Sequence, residues 1–172
     1  MVLCGMFAAL VAIGAFIQIP VPYMDYFTLQ FFFVLLAGLI LGADKGAISV
    51  GCYVLLGLVG VPIFAAGGGI GYIFRPSFGY LVGFIVSAYV TGKYAKAEAS
   101  YKNYLLACLA GFVVTYAIGI VYKFIILNFY AHTPATLGVI FLSCFPLDMP
   151  GDFVLCLLAA GVGLRMRKSG FI

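Results

Sequence analysis

The sequence predicts an all-α integral membrane protein with six transmembrane helices and both the N- and C-termini in the cytoplasm. Three observations carry that reading. Hydrophobic residues make up 66% of the 172 and charged residues 8%, against roughly half apolar and a quarter charged in soluble domains. The apolar residues fall into six runs separated by polar, Gly-rich or Pro-rich breaks. The basic residues gather in alternate breaks, the asymmetry that orients membrane proteins. A soluble fold of this length has too little interior for a mean hydropathy of +1.24, whereas a bilayer takes apolar surface as solvent.

The first span covers residues 4–19 and stops at Pro20-Val21-Pro22; the segment after it, Tyr23-Met24-Asp25-Tyr26, has the aromatic and amphipathic character of an interfacial loop. With no charged residue ahead of it, this run reads as a first transmembrane helix rather than a cleaved signal. Span two covers 27–42, with Thr28 and Gln30 as its polar side chains, and Asp44-Lys45 makes a tight polar turn. Span three covers 46–60. A loop over 61–76 holds Gly67-Gly68-Gly69, Gly71 and Arg75, and span four follows over 77–92. A charged stretch with Lys93, Lys96, Glu98 and Lys102 leads into span five, 103–127. The segment 128–150 contains His132, Pro134, Pro146, Asp148 and Pro150 and reads as a loop; span six runs over 151–163. Several runs are shorter than the ~20 residues of a full crossing, through frayed boundaries, re-entrant loops or local thinning of the bilayer. No internal repeat or linker divides residues 1–172, which read as a single transmembrane domain.

Charge sets the orientation. With the N-terminus inside, the cytoplasmic breaks hold Lys45, Lys93, Lys96, Lys102, Arg165, Arg167 and Lys168, while the outer breaks hold Arg75 with Asp25, Asp148 and Asp152. An odd number of spans would mix the basic clusters across both faces.

The outer charges are the ones that topology leaves unexplained. Ionisable groups at membrane depth are costly unless paired or facing a cavity. Arg75, Asp152 and Lys123 therefore suggest an outward-facing pocket for a ligand that carries a carboxylate. Arginine grips carboxylates bidentately, aspartate accepts from ligand N–H groups, and Phe64, Tyr72, Phe74 and Tyr80 offer apolar walls. Each charge also has a plain alternative: snorkelling for Arg75 and Lys123, and helix capping for Asp152. Ala8 with Ala12 in span one, and Gly38 with Gly42 in span two, are small residues four apart, a spacing that lets helices approach closely, within this chain or against another subunit.

Other chemistry finds little support. His132 is the single histidine, and the five cysteines show no C-x-x-C spacing, so neither zinc nor a disulfide framework is expected. The run Gly67-Gly68-Gly69-Ile70-Gly71 lacks the Lys of a phosphate loop. No Ser-His-Asp set, H-E-x-x-H or nucleotide-binding motif appears, so the chain is not expected to be an enzyme or to hydrolyse ATP.

The sequence resembles the BioY family, the biotin-specific substrate-binding (S) components of energy-coupling-factor transporters. The similarity rests on Phe27-Thr28-Leu29-Gln30 with Phe33-Val34-Leu35-Leu36-Ala37-Gly38 and Gly42; on Gly46-Ala47, Ser49, Tyr53-Val54-Leu55-Leu56-Gly57 and Gly60-Val61-Pro62-Ile63-Phe64-Ala65; on Arg75-Pro76-Ser77-Phe78-Gly79-Tyr80-Leu81-Val82-Gly83-Phe84; and on Pro150-Gly151-Asp152. The resemblance implies a six-helix bundle in a bacterial plasma membrane and no cofactor, with biotin as the transported ligand. It implies as partners a transmembrane coupling subunit (T component), docked on the Ala8 and Ala12 face, and two cytoplasmic ATPases. It implies Arg75 for biotin's carboxylate and Asp152 for the ureido N–H groups. Many members carry Lys three residues after that Asp, where this chain has Leu155; Lys123 is then the candidate for the missing cation. The alternatives are an S component for thiamin or riboflavin, a small membrane enzyme, or a structural subunit without a ligand.

Overall fold

The computed structural model describes residues 1–19, 27–95, 100–131, 135–144 and 148–170. The expectations for residues 20–26, for Lys96 and Glu98, and for His132, Pro134 and Pro146 lie outside that set. Seven α-helices make up most of the described chain: α1 Val2–Phe16, α2 Gln30–Leu41, α3 Ala43–Leu58, α4 Phe78–Tyr94, α5 Tyr101–Ile125, α6 Leu137–Cys144 and α7 Asp148–Lys168. Two short strands, β1 Gln18–Ile19 and β2 Phe27–Thr28, pair antiparallel between α1 and α2. A 3-10 turn, Ile70–Phe74, lies between α3 and α4.

Six helices answer to the six apolar runs, with shifted boundaries. The first run ends in α1 at Phe16 and passes into β1, and the second becomes helical only at Gln30. Asp44 and Lys45 lie in the first turn of α3 and do not form the turn themselves; the chain reverses at Gly42, whose φ of 81° is in the region that favours glycine. The fifth run continues beyond α5 as a π-helical turn, Ile126–Tyr130. The largest difference is α6, a helix inside the segment expected to be a loop. Its apolar stretch is only 8 residues long, too short to register as a crossing. The last helix starts at Asp148 rather than Gly151; Pro150 is tolerated there because first-turn N–H groups have no intrahelical partner.

Residues 101–130 and Asp148–Lys168 are long and apolar enough to cross a membrane. α1, α3 and α4, with 15, 16 and 17 residues, are roughly 22–26 Å long at 1.5 Å per residue. α2 has 12 residues, or about 18 Å. It is the central helix: it packs on α1, α3, α4 and α7, and none of its large apolar side chains is exposed. The flanking helices turn Ile13, Ile48, Leu55, Leu106, Val113, Val121, Val154 and Leu158 outward. Apolar residues inside and outside together are what a bilayer solvent permits. In α1 the inward face includes Ala8, 7% exposed, with Ala12 half-buried; its exposed small residues are Gly5 and Ala9. Of the pair Ala8 and Ala12, Ala8 thus faces the bundle and Ala12 lies at the edge of the exposed face.

The most extensive interface joins α4 and α5. There Tyr122 of α5 fills the space over Gly79 of α4, and Tyr80 of α4 lies over Gly119 of α5. A side chain at Gly79 would meet the Tyr122 Cβ itself, which no rotamer change relieves. Gly79→Val is expected to cost roughly 1–3 kcal/mol as overpacking, read as a lower melting temperature of the detergent-solubilised protein.

Candidate functional site

A cavity of about 960 Å³, counted to its open mouth, occupies the end of the bundle where α2 and α7 begin. It lies where further turns of α2 would otherwise run, since Phe27, Thr28, Gln30 and Phe31 line it. Phe31, Leu81 and Phe84, all buried, supply apolar lining from α2 and α4. Phe31 stacks on Phe84 with centroids 5.9 Å apart. Tyr72, Arg75, Ser77 and Tyr80 line a second side, and Tyr116, Lys123, Asp148 and Asp152 line a third. A few polar groups among apolar walls are the usual composition of a small-molecule site.

The charged groups lie at two levels. α5 approaches the pocket end and α7 leaves it, so depth reads along both helices. Asp152 is in the second turn of α7 and accepts a hydrogen bond from the Tyr116 hydroxyl at 2.8 Å. It does not cap its helix; Asp148 is the acidic residue of the first turn. Lys123 is seven residues beyond Tyr116 on α5, about 10 Å nearer the mouth. Asp148 is one turn nearer the mouth than Asp152. Arg75 is exposed, with its guanidinium carbon 5.3 Å from the centre of the Tyr72 ring, within cation–π range. Leu155 is buried in the core one turn deeper than Asp152. Lys123 therefore stands nearer the mouth than Asp152, not beside Leu155.

The loop carrying Arg75 is tied down at several points. Phe64 is 1% exposed. Its ring seats against Gly57, where a side chain would collide with it, and lies 5.5 Å from the Tyr53 ring and 4.6 Å from that of Tyr72. The Gly69 N–H donates to the Gly57 carbonyl at 2.7 Å. Tyr122 donates to the Ile73 carbonyl at 2.5 Å. From β1, the Gln18 amide donates to the carbonyls of Ala15 and Ala65 at 2.9 and 2.7 Å. Under the loop, Gln30 donates to the Tyr53 hydroxyl at 2.6 Å and Tyr53 donates to the Ile63 carbonyl at 3.2 Å. The buried amide thus has partners, as polar groups at this depth require.

Of the residues singled out from sequence, Arg75, Tyr72, Tyr80, Lys123 and Asp152 line one cavity. Phe64 stands one layer behind, supporting Tyr72. Phe74 points away: it is 51% exposed and stacks on Tyr130 at 4.8 Å. Tyr116, Asp148, Gln30, Phe31 and Phe84 are lining residues that sequence reasoning passed over. Spacing offered a signal for two of them: Asp148 precedes Asp152 by four residues, and Tyr116 precedes Lys123 by seven, both helical repeats of one face.

Known proteins share this sequence and architecture. Residues 1–170 match the sequence model of the BioY family. The chain is 39% identical to the "Probable biotin transporter BioY" of Lysinibacillus sphaericus, over 98% of this chain and 86% of that protein. It is 38% identical to the biotin transporter BioY of Thermotoga maritima, over 95% and 93%. Among solved structures, it superimposes with a TM-score of 0.84 and 25% identity on the S-component for biotin from an ECF-type ABC transporter, covering 97% of this chain and 89% of the other. The chain is a member of the BioY family.

Proposed function

We infer that this chain takes up biotin as the substrate-binding S component of an energy-coupling-factor transporter. The observation that carries this reading is a single cavity in which Arg75 and Lys123 stand near the mouth and Asp152 stands deep among aromatic side chains. Biotin has the matching asymmetry, a carboxylate at the end of an apolar chain and a ring system bearing two urea N–H groups. Arg75 and Lys123 receive the carboxylate, Asp152 accepts from the urea, and Tyr72, Tyr80, Phe31 and Phe84 enclose the apolar body. Family membership and the relatives named for biotin transport support the same ligand over thiamin or riboflavin. The function is capture and transport rather than catalysis.

In this reading residues 1–172 form one domain that needs no cofactor. It crosses the bacterial plasma membrane six times, with α6 as a short non-crossing helix and both termini in the cytoplasm. The charge distribution supports that orientation, since Lys45, Lys93, Lys102, Arg165, Arg167 and Lys168 gather at the end opposite the cavity. The partners are a transmembrane coupling subunit and two cytoplasmic ATPases. The exposed Gly5 and Ala9 of α1, with Ala12 at their margin, form the face on which the coupling subunit docks; a side chain at Gly5 would meet nothing within 4 Å.

Equilibrium binding of biotin to the detergent-solubilised chain tests the site. Saturable binding below micromolar concentration is expected, and none at that concentration rejects the reading. Arg75→Ala is expected to weaken binding roughly 10- to 100-fold, the worth of a charge-assisted hydrogen bond. Lys123→Ala is expected to weaken it by a smaller factor, and unchanged affinity would remove Lys123 from the site. For orientation, a membrane-impermeant thiol reagent applied to intact cells should label Ile70→Cys and leave Lys168→Cys unlabelled.

A further inference from the structure

We propose that Tyr116 is a positioning residue for ligand recognition. Its hydroxyl holds Asp152 so that one carboxylate oxygen faces the ligand, and the pair thereby selects ligands whose buried head carries N–H donors, a cyclic urea above all. The proposal rests on the biotin reading of the same cavity and adds how the deep end discriminates.

The Tyr116 ring has little freedom. It is 5% exposed, with Phe112 at 4.7 Å on one side and Tyr80 edge-on at 5.8 Å on another. The place of its hydroxyl is therefore fixed by packing, and that hydroxyl donates to Asp152 Oδ2 at 2.8 Å. A phenol has one hydrogen to give, and it is spent on Asp152. No other hydrogen bond reaches Asp152 among the described residues, so Oδ1 is left to accept from a ligand. One turn deeper, Leu155 offers neither donor nor charge.

The deep end thus presents acceptors: Oδ1 of Asp152 and the lone pairs of the Tyr116 oxygen. Phe31, Leu81 and Phe84 supply apolar surface in the same cavity. The complement is an apolar ring edged with N–H groups. A head that turns only carbonyl oxygens to this end meets acceptors with acceptors and leaves buried lone pairs unpaired, which costs more than a missing contact. A freely rotating carboxylate would blur this selection; the tyrosine bond removes that rotation before the ligand arrives, so the ordering cost is not charged against binding.

The test compares two ligands on the purified chain. One is biotin; the other is the tetrahydrothiophene pentanoic acid that remains when biotin's urea ring is removed, measured by competition. Tyr116→Phe keeps the ring packing and deletes the hydroxyl. Its biotin affinity is expected to fall roughly ten-fold, about 1.4 kcal/mol, while its affinity for the urea-free acid stays that of the wild type. Equal weakening for both ligands would make Tyr116 a packing residue and overturn the proposal, as would unchanged biotin affinity. In an Asp152→Ala background, Tyr116→Phe is expected to cost nothing further, and a full additional ten-fold loss would also overturn it. A wild-type chain that binds no biotin rejects the underlying reading instead, a result separable from each of these.

Discussion

The centre of the bundle is a helix too short to fill it. α2 has 12 residues and is enclosed by α1, α3, α4 and α7. α5 and α7 run on past its first turn. A space must remain over that turn, walled by the longer helices and edged by the β1–β2 pair. Nothing about the cavity requires a special fold; it follows from one truncated element in a close-packed set. The truncation leaves polar groups at depth, since the first N–H groups of any helix have no partner within it. Gln30, at that end, is 3% exposed and is satisfied through Tyr53, which ties the helix start to the loop above it. A fully satisfied polar network of this kind fixes geometry, whereas a partly satisfied one is a liability.

The cavity's charges are placed for order more than for strength. Two acidic and two basic side chains line it, so it has no large net charge to repel a ligand of either sign. What distinguishes its ends is depth. At the mouth, Arg75 rests on the face of Tyr72 and keeps contact with water. Further in, Asp152 is half-buried and accepts from a tyrosine hydroxyl. A charged ligand group is cheapest to bind where it loses least hydration, and a neutral hydrogen-bonding head is cheapest to bind where the site is already dry. In the proposed biotin reading, the ligand's orientation follows from those two costs.

Much of this was legible in the sequence, and the parts that were not share a cause. Six of the helices follow from apolar runs, because bilayer burial imposes composition directly. α6 was hidden because an eight-residue helix has no compositional threshold to cross. Arg75 and Asp152 stood out because a charge in an apolar context is rare. Tyr116 did not, because a tyrosine among Phe112, Tyr122 and Phe124 looks like any other aromatic residue of a span. Phe64 and Phe74 are the same residue type ten positions apart, yet one supports the pocket and the other leaves it. Their difference is set by Gly57 and Tyr130, contacts that only the fold creates. Likewise, α1 is apolar all round, so periodicity could not separate Ala8 and Ala12 from Gly5 and Ala9.

Gln18 adds a direct tie between the end of α1 and the cavity wall. Its amide spans from the Ala15 carbonyl at the end of α1 to the Ala65 carbonyl on the cavity wall. The end of α1 is therefore tied to one wall of the cavity. A rotation of α1 against the bundle must carry Ala65 with it or break the Gln18–Ala65 bond. Thermodynamic reciprocity then applies: if tilting α1 changes how firmly the ligand is held, holding the ligand changes how readily α1 tilts, by the same free energy.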